Sequence, residues 1–203
     1  MAAFFIFLYL KKSTYITMKK NILLLIALIT SLYSYSQIKS DKITPPQEGK
    51  SVIYFLRTTS LGALMNIRYF NKGEYLGRFN GRNYIRYECD PGKTYFWIKA
   101  ENIDVLEATL ESNKIYLVET NAVMGAFSAG AKFKIVDFNS KKQVKRINKL
   151  LAKKDAKKFS DEELNKQREK MEKTIQKSMK KVRSKMKKGK FKTLTGTMNY
   201  TAE

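Results

Sequence analysis

A chain of 203 residues with 40 lysines and arginines against 18 acidic residues, no histidine and one cysteine carries a formal charge of +22. Without histidine there is no Ser–His or Cys–His catalysis, no His-ligated zinc and no imidazole proton shuttle, and one cysteine forms neither an intrachain disulfide nor a metal site without other ligands. Hydrophobic residues at 43% and aromatics at 12% exclude a wholly disordered chain.

Residues 1–17 place a short apolar run ahead of a more ordinary start and read as an over-extended N-terminus, with Met18 as the true beginning. Residues 18–36 have the three parts of a signal peptide. Met18-Lys19-Lys20 is the positive start, the run from Ile22 to Leu32 is the apolar stretch, and Ser34-Tyr35-Ser36 supplies small residues for cleavage after Ser36. That run is shorter than the roughly 20 residues of a membrane span. No cysteine follows it, which argues against a lipid anchor on this segment. The expectation is an exported chain, in the periplasm or cell envelope, beginning at Gln37.

After a linker over 37–48, residues 49–139 read as seven or eight short strands with turn signals between them. Ser51–Arg57 is β-branched and aromatic, 65–70 alternates and stops at Asn71-Lys72-Gly73, and 75–79 is followed by Asn80-Gly81, a two-residue hairpin signal. Residues 83–88 precede the turn Asp90-Pro91-Gly92. Then come 94–100 with Trp97, 105–110, 115–120 and 133–138. The fold class is mainly β: a small antiparallel β-sandwich followed by a basic helical extension.

These residues carry a resemblance. Gly49-Lys50-Ser51-Val52-Ile53-Tyr54-Phe55-Leu56-Arg57, the segment Gly73-Glu74-Tyr75-Leu76-Gly77, Tyr84, Asp90-Pro91-Gly92-Lys93-Thr94-Tyr95 and the strand of Tyr116 resemble the domain-of-unknown-function 2846 family of exported bacterial proteins, over roughly residues 48–150. The resemblance implies a β-sandwich in the cell envelope and carries over no catalytic residues. This chain departs from lipid-anchored members of that family in lacking a cysteine after the signal segment and in its long basic tail.

Three features of this domain invite chemistry. Gly125-Ala126-Phe127-Ser128-Ala129-Gly130-Ala131-Lys132 is a near miss for a phosphate-binding loop, because Ala131 separates the second glycine from the lysine and a strand follows instead of a helix. The plainer reading is a small-residue loop between the last strands. Cys89 reads as a half-buried free thiol. Arg78, Arg82, Tyr84, Arg86 and Tyr87 interleave basic and aromatic side chains and form a candidate ligand face for sugars or single-stranded nucleic acid. Ordinary cross-strand pairing is the alternative. Glu88/Asp90 and Glu101/Asp104 read as turn carboxylates.

The charge is concentrated in the C-terminal part. Residues 37–140 hold 14 basic and 11 acidic side chains, a net of +3, whereas 141–203 hold 22 and 7, a net of +15. Ser140 and Gln143 open a packing helix over 140–158 with a capping box. Ser160 and Glu163 form a second capping box, with Phe159 and Leu164 as a hydrophobic staple, opening a basic amphipathic helix over 160–188. Its apolar stripe is Leu164, Met171, Ile175, Met179, Val182 and Met186. Lys170, Lys173, Lys177, Lys180, Lys181, Arg183, Lys185, Lys187 and Lys188 are its candidate contacts to an anionic surface. Residues 189–203 read as a loose tail, with an extra strand as the alternative.

The expected function is that of a non-catalytic envelope protein. Its β domain binds a protein or glycan partner, and its tail associates with anionic lipid or lipopolysaccharide. No cofactor or metal is expected. The alternatives are an assembly module that pairs the basic helix with an acidic partner, or non-specific nucleic-acid binding through the tail. An exported location argues against nucleic acid as the natural partner.

Overall fold

A computed structural model describes residues 37, 38, 40–124 and 129–201. The start and signal-peptide readings for 1–36 lie outside the described residues. In chain order the elements are β1 (Ser51–Arg57), β2 (Ile67–Asn71), β3 (Glu74–Phe79), β4 (Asn83–Cys89), β5 (Gly92–Lys99), β6 (Ile103–Leu110), β7 (Ile115–Met124) and β8 (Ala129–Ile135). Helices α1 (Lys141–Leu151) and α2 (Asp161–Lys187), then β9 (Lys192–Leu194) and a 3-10 turn at Gly196–Met198, complete the chain.

The described strands form two sheets, in the orders β4-β1-β7-β8 and β3-β2-β5-β6-β9. The expectation of wholly antiparallel pairing is corrected. β1 runs parallel to β7, with Val52 opposite Ile115, and β6 runs parallel to β9, with Leu106 opposite Lys192. The cause is visible in β1. Its SVIYFLR sequence has apolar residues at successive positions, so it needs cover on both faces. It lies between β4 and β7, and all seven residues are buried.

The β2–β3 hairpin closes through Lys72-Gly73, as Asn71-Lys72-Gly73 predicts, with Lys72 at φ +50. Asn80-Gly81 is a different case. β3 pairs with β2 and β4 pairs with β1, so this dipeptide carries the chain from one sheet to the other instead of closing a hairpin. Gly81 takes φ +59, and its N–H donates to the Ala63 carbonyl at 2.8 Å. A long-range partner has captured a local turn signal.

Apolar residues gather in three clusters. The central one draws Ile53, Phe55, Ile85 and Phe133 from the first sheet and Ile67, Tyr69, Phe96 and Leu106 from the second. The second covers the other face of the first sheet, where Val144, Ile147, Leu150 and Leu151 of α1 meet Val52, Tyr54 and Tyr84. The third covers the other face of the second sheet. There Phe70 and Trp97 stack with centroids 3.8 Å apart, and Ile175 and Val182 of α2 lie against them with Met171, Met179 and Met186 beside them. α1 therefore packs on a sheet face and ends at Leu151, short of the span over 140–158 that the sequence predicts.

The first capping box does not form. Ser140 makes no side-chain cap, and Gln143 is buried with other partners. Its Nε2 donates to Glu119 Oε2 at 2.6 Å, and its Oε1 accepts the Asp137 N–H at 3.2 Å. Glu119 is fully buried and also accepts from the Thr58 hydroxyl, with Arg146 3.5 Å away. A buried carboxylate without such donors would be very costly, so it takes the glutamine from the cap. Arg57, also fully buried, donates to the carbonyls of Met65, Leu61 and Gly62 and fixes the loop after β1.

Residues 192–198 form a strand and a 3-10 turn, the extra-strand alternative rather than a loose tail. β9 adds to β6, Leu194 is fully buried, and the Tyr200 N–H donates to the Ile115 carbonyl at 2.7 Å. The Lys192 ammonium lies 3.1 Å from Asp104, which also accepts the Phe133 N–H.

Trp97 is the chain's single tryptophan and has no exposed surface. Replacing Val182 by Asp would put a carboxylate against the Phe70–Trp97 stack. The expected outcome is an undocked α2, read as a red shift of tryptophan emission and protease cleavage within 161–187. An unshifted emission maximum would mean that α2 is not what shields Trp97.

Candidate functional site

α2 starts where its sequence says it should. The Ser160 side chain accepts the Glu163 N–H at 3.1 Å, Asp161, Glu162 and Glu163 fill the first turn, and Lys185 and Lys187 stand in the last. Both ends suit the helix dipole. Of the staple residues, the Phe159 ring lies over Gly77, whose φ is +125, and Leu164 joins the cluster around Trp97. A Cβ on Gly77 would come within 2.4 Å of that ring.

Because the apolar stripe faces the second sheet, the lysines face away from it. Lys170, Lys173, Lys177, Lys180, Lys181, Arg183, Lys187 and Lys188 are exposed, and Lys185 is half-buried. Residues 170, 173, 177, 181 and 188 recur at helical spacing and make one cationic ridge. Among the described residues no ion pair reaches any of these side chains. The stripe that the sequence offered to a membrane or a partner helix is occupied by the protein's own sheet.

On one flank of this ridge, where α2 meets the β5–β6 turn, lies a cavity of about 410 Å³. Lys99, Lys173, Lys177 and Lys181 line it with Thr174 and Ser178, and Glu101 is its one acidic residue. The Lys99 ammonium donates to the carbonyls of Ala100 at 2.8 Å and Glu101 at 3.4 Å. Burial lowers the Lys99 pKa, Glu101 opposes this, and the charges of Lys181 and Arg68 lower it further. Lys99 has no local sequence signal. It becomes part of a site only because the fold brings the end of β5 beside a helix more than seventy positions later.

The candidate ligand face is dispersed. Arg78 is exposed on β3, an edge strand of the second sheet, and Arg82 is exposed in the connection to the first. Tyr84 is buried beneath α1, in the cluster that covers the first sheet's outer face. Tyr87 points to the opposite face of β4 and packs on the central cluster. Arg86 is tied to Glu88 at 2.7 Å and to the Pro45 carbonyl at 3.0 Å. The interleaving fails because its two strands belong to different sheets.

Tyr87 instead lines a larger cleft of about 620 Å³, with Cys89, Asn71, Glu74, Lys50 and Asp90. Its hydroxyl donates to Glu74 at 2.9 Å and accepts from Asn71 at 3.1 Å. Burial, then Asp90 and Glu74, pushes the Cys89 thiol up to about 11, so it is almost wholly protonated at neutral pH. Glycine 130 of the near-miss loop lies in β8, and residues 125–128 lie outside the described residues. Gly130 admits the Asn102 side chain, whose Oδ1 would stand 2.7 Å from a Cβ there. Asn102 pairs with both the N–H and the carbonyl of Ala131, so the small residue serves the approach of the β5–β6 turn to β8.

Among the described residues, no helix is long and apolar enough to cross a membrane, and no group of three or more Cys, Asp and Glu side chains could hold a metal. The chain matches no model of a known protein family, no curated protein and no solved structure.

The Cys89 environment gives a direct expectation. Its alkylation by iodoacetamide should be slow at pH 7 and rise about tenfold per pH unit to beyond pH 10, where an ordinary thiol levels off near its pKa of about 8.5. A plateau below pH 9 in the folded protein would contradict the buried, acid-flanked placement.

Proposed function

We propose that the chain is an exported, non-catalytic binding module of the cell envelope. In this reading the two sheets form a β-sandwich of the kind implied by the resemblance to the domain-of-unknown-function 2846 family. The lysine face of α2 associates with anionic lipid or lipopolysaccharide, and the β domain meets an envelope partner.

One observation carries the reading: α2 is docked by its apolar stripe, so its cations are presented together on a firm support and are unpaired among the described residues. Each lysine near an anionic membrane contributes about 1 kcal/mol at best, within a Debye length of about 8 Å. Attraction therefore works through charge count at close range. Lysine, a compact point charge, suits diffuse attraction better than planar recognition.

Truncating the tail would be a poor test, because it would uncover Trp97 and remove β9. Charge is altered instead. The variant carrying Lys170→Gln, Lys180→Gln, Lys187→Gln and Lys188→Gln should bind phosphatidylglycerol vesicles on the order of 100-fold more weakly than wild type at low salt. A variant with the same charge loss on α1 (Lys141→Gln, Lys142→Gln, Lys145→Gln, Lys149→Gln) should lose far less. Co-sedimentation measures both. Equal losses would reduce the effect to net charge and remove α2 from its role.

A further inference from the structure

The cavity between α2 and the β5–β6 turn is more specific than a charged surface. Four lysines, Lys99, Lys173, Lys177 and Lys181, line one space of about 410 Å³ with one acidic residue, Glu101, among them. We propose that this cavity is a binding site for a phosphomonoester group. The proposal rests on the reading that the lysine face of α2 meets an anionic surface, and it names the chemistry at one place on that face.

Three physical features select this ligand class. First, like charges are held together at a cost. Lys99 donates to two backbone carbonyls and lies in the field of Lys181 and Arg68, so moving away from them into solvent would cost it those bonds. A dianion in the cavity turns that repulsion into attraction, whereas a monoanion does so by half as much. Second, the donors are ammonium groups, each with three N–H bonds that turn freely. They surround a compact tetrahedral polyanion well, and they lack the flat two-pronged match that arginine offers a carboxylate. Third, Thr174, a hydroxyl-bearing residue, and the apolar Ile103 line the same space, and apolar lining lowers the local dielectric and strengthens charge–charge attraction. The Asn102 amide, also in the lining, is already paired with the Ala131 backbone and stays in its structural role.

A phosphomonoester can arrive on a lipid headgroup or on a small soluble molecule, and the test separates the two. The full chain is titrated with glycerol 3-phosphate, and with dimethyl phosphate as the diester monoanion, while backbone amide shifts are followed by NMR. The expected result is saturable shifts at Lys99, Thr174 and Lys177 with glycerol 3-phosphate and none that saturate with dimethyl phosphate. The Lys177→Gln/Lys181→Gln double variant should weaken the first by at least about tenfold. Lys145→Gln/Lys149→Gln on α1, with the same charge loss, should change it less than twofold. Unchanged tryptophan emission confirms that each variant keeps α2 docked.

Vesicles supply the second arm. Wild type should prefer phosphatidic acid over phosphatidylglycerol, and the Lys177→Gln/Lys181→Gln variant should lose that preference while still binding both. Equal vesicle binding together with no saturable glycerol 3-phosphate shifts overturns the site and leaves the general surface reading intact. Saturable shifts without binding to either vesicle support the site for a soluble ligand and overturn the surface reading instead.

Discussion

The stack of Phe70 on Trp97 is the constraint from which the arrangement of charge follows. It lies on the outer face of the second sheet, where both rings are fully buried. Two large rings on the outer face of a sheet cannot remain in water without a penalty of about 1.5–3 kcal/mol for each large apolar side chain left exposed. Trp97 is further held by its indole N–H, which donates to the Lys72 carbonyl at 2.7 Å. Ile175 and Val182 are the side chains that cover them, so the position of α2 is fixed by the sheet and its lysines inherit their direction.

This dependence runs both ways. A helix with lysines at 173, 177 and 181 repels itself, since like charges four positions apart each cost a few tenths of a kcal/mol. Its propensity and caps would not sustain such a segment alone against fraying. Docking supplies the missing stability, together with the Tyr75 hydroxyl, which donates to Gln167 at 2.7 Å. Burial pushes that tyrosine up to about 12, so it remains a donor throughout the neutral range. The polycation is therefore a built face of the domain, and its charge density is sustained by contacts on the other side of the same helix.

What the sequence makes legible divides along the range of the interaction. β1 is readable to the residue because its apolar run and flanking turn are local, and Ser160 is readable because a cap spans only three residues. The Ser140–Gln143 cap has the same local pattern and fails, because buried Glu119, twenty-four positions earlier, is a stronger claim on the glutamine. Asn80-Gly81 fails as a hairpin for the same kind of reason: β1 and β2 already offer better edges to the strands on either side of it. The parallel pairs β1–β7 and β6–β9 join segments separated by long stretches of chain, and no dipeptide signals them. Of the candidate site, the lysines of α2 are visible as a periodic run, whereas Lys99 is not. The Arg78 to Tyr87 grouping is readable as a pattern, and its two strands lie in different sheets, whereas period-two alternation makes one face only within one sheet.

Both helices carry lysines, and the layering decides how far their charges can act together. α1 lies on the first sheet and α2 on the second, and a further cluster draws residues from both sheets. The two helices thus cover different sheets. Salt reduces a charge's reach to about 8 Å under physiological conditions, so a flat anionic surface touching one helix feels little of the other. The total of +22 thus exaggerates what any partner experiences. α1 also spends part of its charge internally, since Arg146 turns toward Glu119. The ridge on α2 has no such partner among the described residues, and it adjoins a cavity that Lys99 of the second sheet also lines. In the proposed reading it is this local density of lysines, rather than net charge, that would favour an anion at that face.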